Sequence, residues 1–227
     1  MATHLDLEEQ EQLDQLKAFW SQYGNLITWT ITLALAAFAA WNGWNWWQRE
    51  QAGKASAMYD ALDQAAQAGD VERSAGIFKD LRERYPRTAY AEQGGLLTAK
   101  VQVDKKQAEA AQGTLAWVAE NAVETEYRTI AKLRLAGLLV DAKKYDEALQ
   151  QLEGASGKEF EALVADRRGD VLLAQGKTEE AKAAYLAAWK AMDDKVGYRR
   201  LIDAKLTSLG APPAETPKTG AAAGTTP

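Results

Sequence analysis

From Ala18 to Gln48 the chain runs 31 residues without a charged side chain, between Lys17 and Arg49. The middle of this run, NLITWTITLALAAFAAW (residues 25–41), is dominated by Leu, Ile, Ala and Phe. About 20 apolar residues in an α-helix cross a hydrocarbon core about 30 Å thick, and a charge at its centre costs on the order of 3 kcal/mol. Thr28, Thr30 and Thr32 are compatible with such a span, because a hydroxyl can donate to a carbonyl one turn earlier. Phe19, Trp20 and Tyr23 stand at one end of the run, and Trp41, Trp44, Trp46 and Trp47 at the other. Their group centres are about 23 residues apart, or about 35 Å at helical rise. Aromatic rings that are apolar in body and polar at one edge collect at membrane–water boundaries. These seven residues are therefore expected at the two interfaces of a lipid bilayer, with the span over 25–47.

The segment before the span, residues 1–24, is acidic: Asp6, Glu8, Glu9, Glu11 and Asp14 oppose Lys17 alone. A cleaved signal peptide begins basic, has a shorter apolar stretch and ends in small residues, so a retained anchor is expected. The count of basic residues, Lys17 before the span against Arg49 and Lys54 after it, differs by one and does not set an orientation.

Composition closes off several functions. The chain has no Cys and one His, His4, which removes disulfides, thiolate chemistry, His-based triads and ordinary zinc sites. A net charge of −5 gives no general attraction to nucleic acid. Asp166 and Asp170 share a helix face, but in a chain that is 26% charged such pairs are usually solvated or salt-bridged. Gly176-Lys177-Thr178 lacks the upstream glycine and the strand of a phosphate loop. It is expected to be a turn, with Thr178 capping the next helix and Glu180 in its first turn. No catalysis, cofactor, metal or small-molecule substrate is expected.

Beyond the anchor, residues 48–209 are rich in Ala, Leu, Glu, Lys, Gln and Arg, and Pro86 is the only proline between residues 49 and 211. That composition favours helix. The helices repeat. LRLAGLLVDAKKYDEALQQLEGA from Leu133 aligns without gaps with DRRGDVLLAQGKTEEAKAAYLAA from Asp166, an offset of 33. Ala136 matches Gly169, Leu139 matches Leu172, Ala148 matches Ala181, Leu152 matches Tyr185 and Ala155 matches Ala188. Weaker copies place Ala99, Ala111, Leu115 and Val118, then Leu62, Ser74, Phe78, Leu81 and Pro86, in related roles, at offsets of 37. A period of 33–37 residues, one helix–turn–helix per copy, signals an α-solenoid. The fold expected is all-α: one transmembrane helix followed by about four degenerate hairpins. Small residues let the helices of a hairpin approach, and large ones fill the gap to the next helix. The pattern resembles the tetratricopeptide repeat, with a plain helical bundle as the alternative.

An acidic start, a single span ending in aromatics, and the stretch VADRRGDVLLAQGKTEEAKAAYLAAW (residues 164–189) together resemble the YfgM family, ancillary subunits of the bacterial SecYEG translocon. The resemblance runs from about residue 10 to residue 209. It implies a type II inner-membrane protein with a cytoplasmic N-terminus and a periplasmic repeat domain. It further implies association with the translocon and with a membrane-anchored periplasmic chaperone of the prolyl-isomerase type, in a chaperone network serving protein translocation. A scaffold subunit of another cell-envelope assembly complex is the alternative role.

Stacked hairpins create a concave surface lined by the first helix of each pair. In the register above, its candidates are Leu96, Lys100 and Val103; Ile130, Leu133, Gly137 and Val140; and Leu163, Asp166 and Asp170. An apolar groove with a charged rim accepts an extended or helical polypeptide. The competing assignment for Leu133 and Val140 is interhelix core. The tail APPAETPKTGAAAGTTP (residues 211–227) holds four of the five prolines and no bulky apolar residue, so residues 210–227 are expected to be disordered.

Overall fold

The computed structural model describes residues 7–213, with side chains from residue 11. His4, the start of the acidic segment and the tail from residue 214 lie outside the described residues. Among those described, the regular elements are helices: α1 (Leu7–Gln67), α2 (Val71–Arg84), α3 (Ala89–Asp104), α4 (Ala108–Asn121), α5 (Thr125–Asp141), α6 (Tyr145–Glu153), α7 (Glu161–Ala174), α8 (Thr178–Ala191) and α9 (Arg199–Ser208). A single 3-10 turn, Lys158–Phe160, joins α6 to α7. The chain forms two units, Met1–Gly53 and Lys54–Pro227.

In the first unit, the apolar side chains of α1 face outward. Leu26, Phe38, Trp41 and Trp46 are each 67% exposed, and only 6% of the 18-residue apolar window is buried. A helix buried in a protein core would have its apolar surface covered by other side chains; this one is long and apolar enough to cross a membrane and has no such cover. Its three threonine hydroxyls bond within the helix. Thr28 Oγ1 donates to the Gly24 carbonyl at 2.7 Å, Thr30 to Leu26 at 2.8 Å and Thr32 to Thr28 at 2.8 Å.

In the second unit, the last turns of α1 pair with α2, and α3/α4, α5/α6 and α7/α8 form three further hairpins. Sequential helices pack on one another, and α3, α5 and α7 also meet as neighbours. One core cluster joins Ala55 and Leu62 of α1 to Phe78, Leu81 and Ala91. A second runs from Leu96 to Val171 through the middle repeats. A third joins Leu172, Ala181, Tyr185 and Ala188 to Ile202 and Leu206 of α9. The small-against-large matching is literal at two glycines. A Cβ on Gly169 would sit 2.5 Å from the Tyr185 ring, and one on Gly95 would sit 2.4 Å from Val118 Cγ2.

The four hairpin turns are copies of one another. Gly69, Lys106, Lys143 and Gly176 each have a positive φ between 60° and 78°. At each, that residue's N–H donates to the carbonyl three residues back, and the next N–H donates five back: Lys143 to Val140 and Lys144 to Leu139, for example, at 2.9 and 2.8 Å. This is the Schellman ending, which satisfies carbonyls that the helix itself leaves open. Two details depart from the sequence expectation. Lys177 rather than Thr178 occupies the cap position of α8, and no side chain caps it, because the Schellman bond from Lys177 N–H to the Leu172 carbonyl fixes the turn one residue earlier. Ala155 lies outside any helix, because α6 ends at Glu153.

Lys106 and Lys143 hold a left-handed conformation that costs about 1–2 kcal/mol without glycine. Lys106→Gly and Lys143→Gly should each raise unfolding stability by about 0.5–1 kcal/mol after glycine's own entropy is counted. Urea titration of the full-length chain in detergent, followed by circular dichroism, checks this; a fall in midpoint for both would contradict the turn geometry.

Candidate partner-binding groove

The hairpin register puts one residue of each first helix at matching heights. Leu96, Leu133 and Asp166 are equivalent, as are Lys100, Gly137 and Asp170; Val103 and Val140 form a third set. Because α3, α5 and α7 stand side by side, the second and third sets fall along one open groove of about 410 Å³. Lys100, Val103 and Asp104 line it from α3, Arg134, Gly137, Val140 and Asp141 from α5, and Arg167 and Asp170 from α7. Five of the ten expected residues thus meet there: Lys100, Val103, Gly137, Val140 and Asp170.

The other five sit deeper. Leu96 and Asp166 are buried, and Ile130 and Leu133 pack against the middle core cluster. Leu163 is half-buried at the start of α7, outside the groove lining. Leu133 therefore serves packing, while Val140 does both, touching the core on one side and the groove on the other. The first set lies one turn before the second on the same helix faces, but it is covered there: Leu96 and Leu133 by the middle core cluster, and Asp166 by Tyr198 and Lys205.

The groove floor is Gly137, where an added Cβ would meet only the Arg167 guanidinium, at 3.7 Å. Its polar groups are unevenly paired. Lys100 is bonded to Asp104 at 3.1 Å and Arg167 to Asp170 at 3.2 Å. Arg134 donates to the Leu96 carbonyl at 3.3 Å, and among the described residues no carboxylate pairs with it. Arg134 and Arg167 did not stand out from sequence, yet they occupy the same repeat position 33 residues apart. A cation recurring on neighbouring first helices was the signal for them.

At the C-terminal end, α9 is latched to α7 by charge. Lys205 Nζ donates to both Asp166 oxygens, at 2.8 and 2.9 Å, and to Asp170 Oδ1 at 2.7 Å. Tyr198 OH donates to Asp166 Oδ2 and Tyr185 OH to Asp170 Oδ1, each at 2.8 Å. Burial, then the bond to Asp166, pushes the Tyr198 hydroxyl up to about 12. Burial and the bond to Asp170 push Tyr185 higher still. Both phenols thus remain donors at every physiological pH, and the acid pair is committed to holding α9. With Asp166 only 2% exposed, losing its cation would strand a buried charge. Lys205→Met should cost about 3 kcal/mol and release α9 first, seen as faster amide exchange over residues 199–208; unchanged protection there would show that apolar packing alone holds the helix.

A family model described as a tetratricopeptide repeat-like domain matches residues 17–211. Three similar curated proteins carry the name ancillary SecYEG translocon subunit. One from Neisseria gonorrhoeae is 34% identical over 212 residues, covering 92% of this chain and 100% of that protein. One from Haemophilus influenzae is 29% identical over 179 residues, covering 79% and 87%. One from Escherichia coli is 28% identical over 201 residues, covering 88% and 96%.

Proposed function

Because the chain belongs to the tetratricopeptide repeat-like family of ancillary SecYEG translocon subunits, we propose that it is a non-enzymatic, membrane-anchored adaptor at the SecYEG translocon. Residues 25–47 span the inner membrane once, with residues 1–24 in the cytoplasm and the repeat domain over 48–209 in the periplasm. The groove across α3, α5 and α7 binds a polypeptide segment of a partner. That partner is a membrane-anchored periplasmic chaperone of the prolyl-isomerase type, so that protein export is linked to chaperone capture.

The observation that carries this reading is the groove itself. It has an apolar floor opened by a glycine and walled by Val103 and Val140, and Arg134 lies beside it without a carboxylate partner among the described residues. A peptide carbonyl or carboxylate laid along the floor would give Arg134 the partner it lacks. The uncovered apolar length of α1 supports the membrane anchor, since such a surface is stable only when lipid or another helix covers it.

Gly137→Leu tests the groove without disturbing the core, because leucine is a better helix former than glycine and only flexible Arg167 lies near. In native membranes, photo-crosslinking from position 103 should trap the chaperone, and Gly137→Leu should reduce that adduct at least tenfold at unchanged thermal stability. An alkaline phosphatase fusion after residue 209 should be active. An undiminished adduct would remove the groove from the mechanism, and an inactive fusion with a working cytoplasmic reporter would remove the periplasmic placement.

A further inference from the structure

The second helices of the four hairpins are not equal. α2, α4 and α8 each have 14 residues, and α6 has nine. Aligned on Ala111 and Ala148, α6 would end at residue 158 if it were as long as α4. The five positions Gly154 to Lys158, which a helix of that length would hold, are instead loop and the start of the 3-10 turn, and the shorter helix accompanies a fall of four in the repeat offset, from 37 to 33.

The lost turn leaves a slot. In the third repeat, the last turns of α4 present Ala116, Ala119 and Glu120 to Lys132, Gln150 and Gln151, leaving an open space of about 300 Å³. In the fourth repeat, the equivalents of those three wall residues, 33 positions on, are Ala165, Ala183 and Ala184. No helix end covers them, and the space is about 700 Å³. The shorter helix and the replacement of Lys132, Gln150 and Gln151 by alanine in the repeat equivalents coincide at one site.

The slot is held open. Thr129 Oγ1 donates to the Ser156 carbonyl at 2.6 Å and accepts from the Ser156 N–H at 3.3 Å. Lys132 Nζ donates to the Gly154 carbonyl. These bonds tie the substitute loop back to α5, and Gly157 turns it at φ +110°. The loop therefore cannot swing in to cover Ala165 and Ala183 without breaking them.

We infer that this slot is a second docking site, distinct from the concave groove, for the end of a partner α-helix carrying bulky apolar side chains. The occupant's shape is given by the chain's own α4, which fills the sister position as a helix. Its chemistry follows from the walls: Val164, Leu172 and the three alanines want apolar volume. At the rim Lys158 and Arg168 balance Glu161 and Glu180, none of them in an ion pair among the described residues, so a strongly charged segment gains nothing there. The chain's own residues 214–227 offer no side chain larger than Lys or Glu and include two prolines and two glycines, which makes them a poor helix and a poor filling.

The test uses the full-length protein in nanodiscs and a stapled helical peptide copying residues 108–121, with Ala116→Leu and Ala119→Leu to fill the added space. Fluorescence anisotropy should show saturable binding. Ala183→Trp and, separately, Ala187→Trp should each weaken it at least tenfold. Both alanines are exposed, so the fold should be retained, and a thermal melt of each variant verifies it. Gly137→Leu should leave peptide affinity unchanged, which separates this site from the groove. No saturation up to about 1 mM, roughly the weak end of specific binding, or binding that survives both tryptophans, would overturn the proposal. A photo-crosslinker at residue 183 in native membranes should yield a heterologous adduct. An adduct of two copies of this chain would overturn the assigned occupant.

Discussion

No hairpin in this domain can bury its own apolar face; each is completed by the next. The contact that makes stacking possible is a small residue on the first helix of a pair set against a large one on the second, as at Gly169 under the Tyr185 ring. Close approach at that point brings neighbouring first helices into contact, and the groove across α3, α5 and α7 is the result. Solenoids of this kind need their last open face covered. Here α9 does it with Ile202 and Leu206, and the Lys205 latch to Asp166 and Asp170 sets its position.

The apolar length of α1, long enough to cross a membrane, follows different rules from the repeat unit. Four of its polar side chains bond within the helix: three threonines reach carbonyls one turn back, and Asn42 Nδ2 donates to the Phe38 carbonyl at 2.9 Å. Its aromatic residues cluster instead of interleaving with a core; Trp44 and Trp47 lie 5.3 Å apart and Phe19 and Tyr23 5.1 Å apart. In hydrocarbon no water is present to satisfy a stray polar group, so local bonding is required. In the repeat unit, polar atoms are free to find distant partners, and they do.

Interruptions of the repeat mark its chemistry. The Schellman turns recur at 69, 106, 143 and 176 with little tolerance, even where lysine must take a conformation that suits glycine. Where the repeat shortens, after α6, the turn itself is kept and only the far end of the second helix is lost. A hairpin can give up that end without losing its turn or its small-large contact, so a cavity can open there while the stack stays intact.

Sequence alone determined the helical class, the long uncovered span, the repeat period and most of the core. These follow from local periodicity and from the exclusion of charge, which neighbours in the chain carry. Residues matched by offset, such as Leu62, Ala99, Ala136 and Gly169, are buried as equivalents. Tertiary structure alone decided which expected groove residues are open. Leu96 and Leu133 carry the same pattern as Val103 and Val140, and only the stacking of neighbouring helices decides which of them the core covers and which line the groove. It also decided the fate of Asp166, which meets Lys205 from 39 positions away. Glu92 is another such case: it is buried to accept from the Val123 N–H at 2.7 Å, and that burial raises its pKa. Partners tens of residues apart leave no periodic trace, because their meeting depends on how whole helices stack rather than on what stands one turn away.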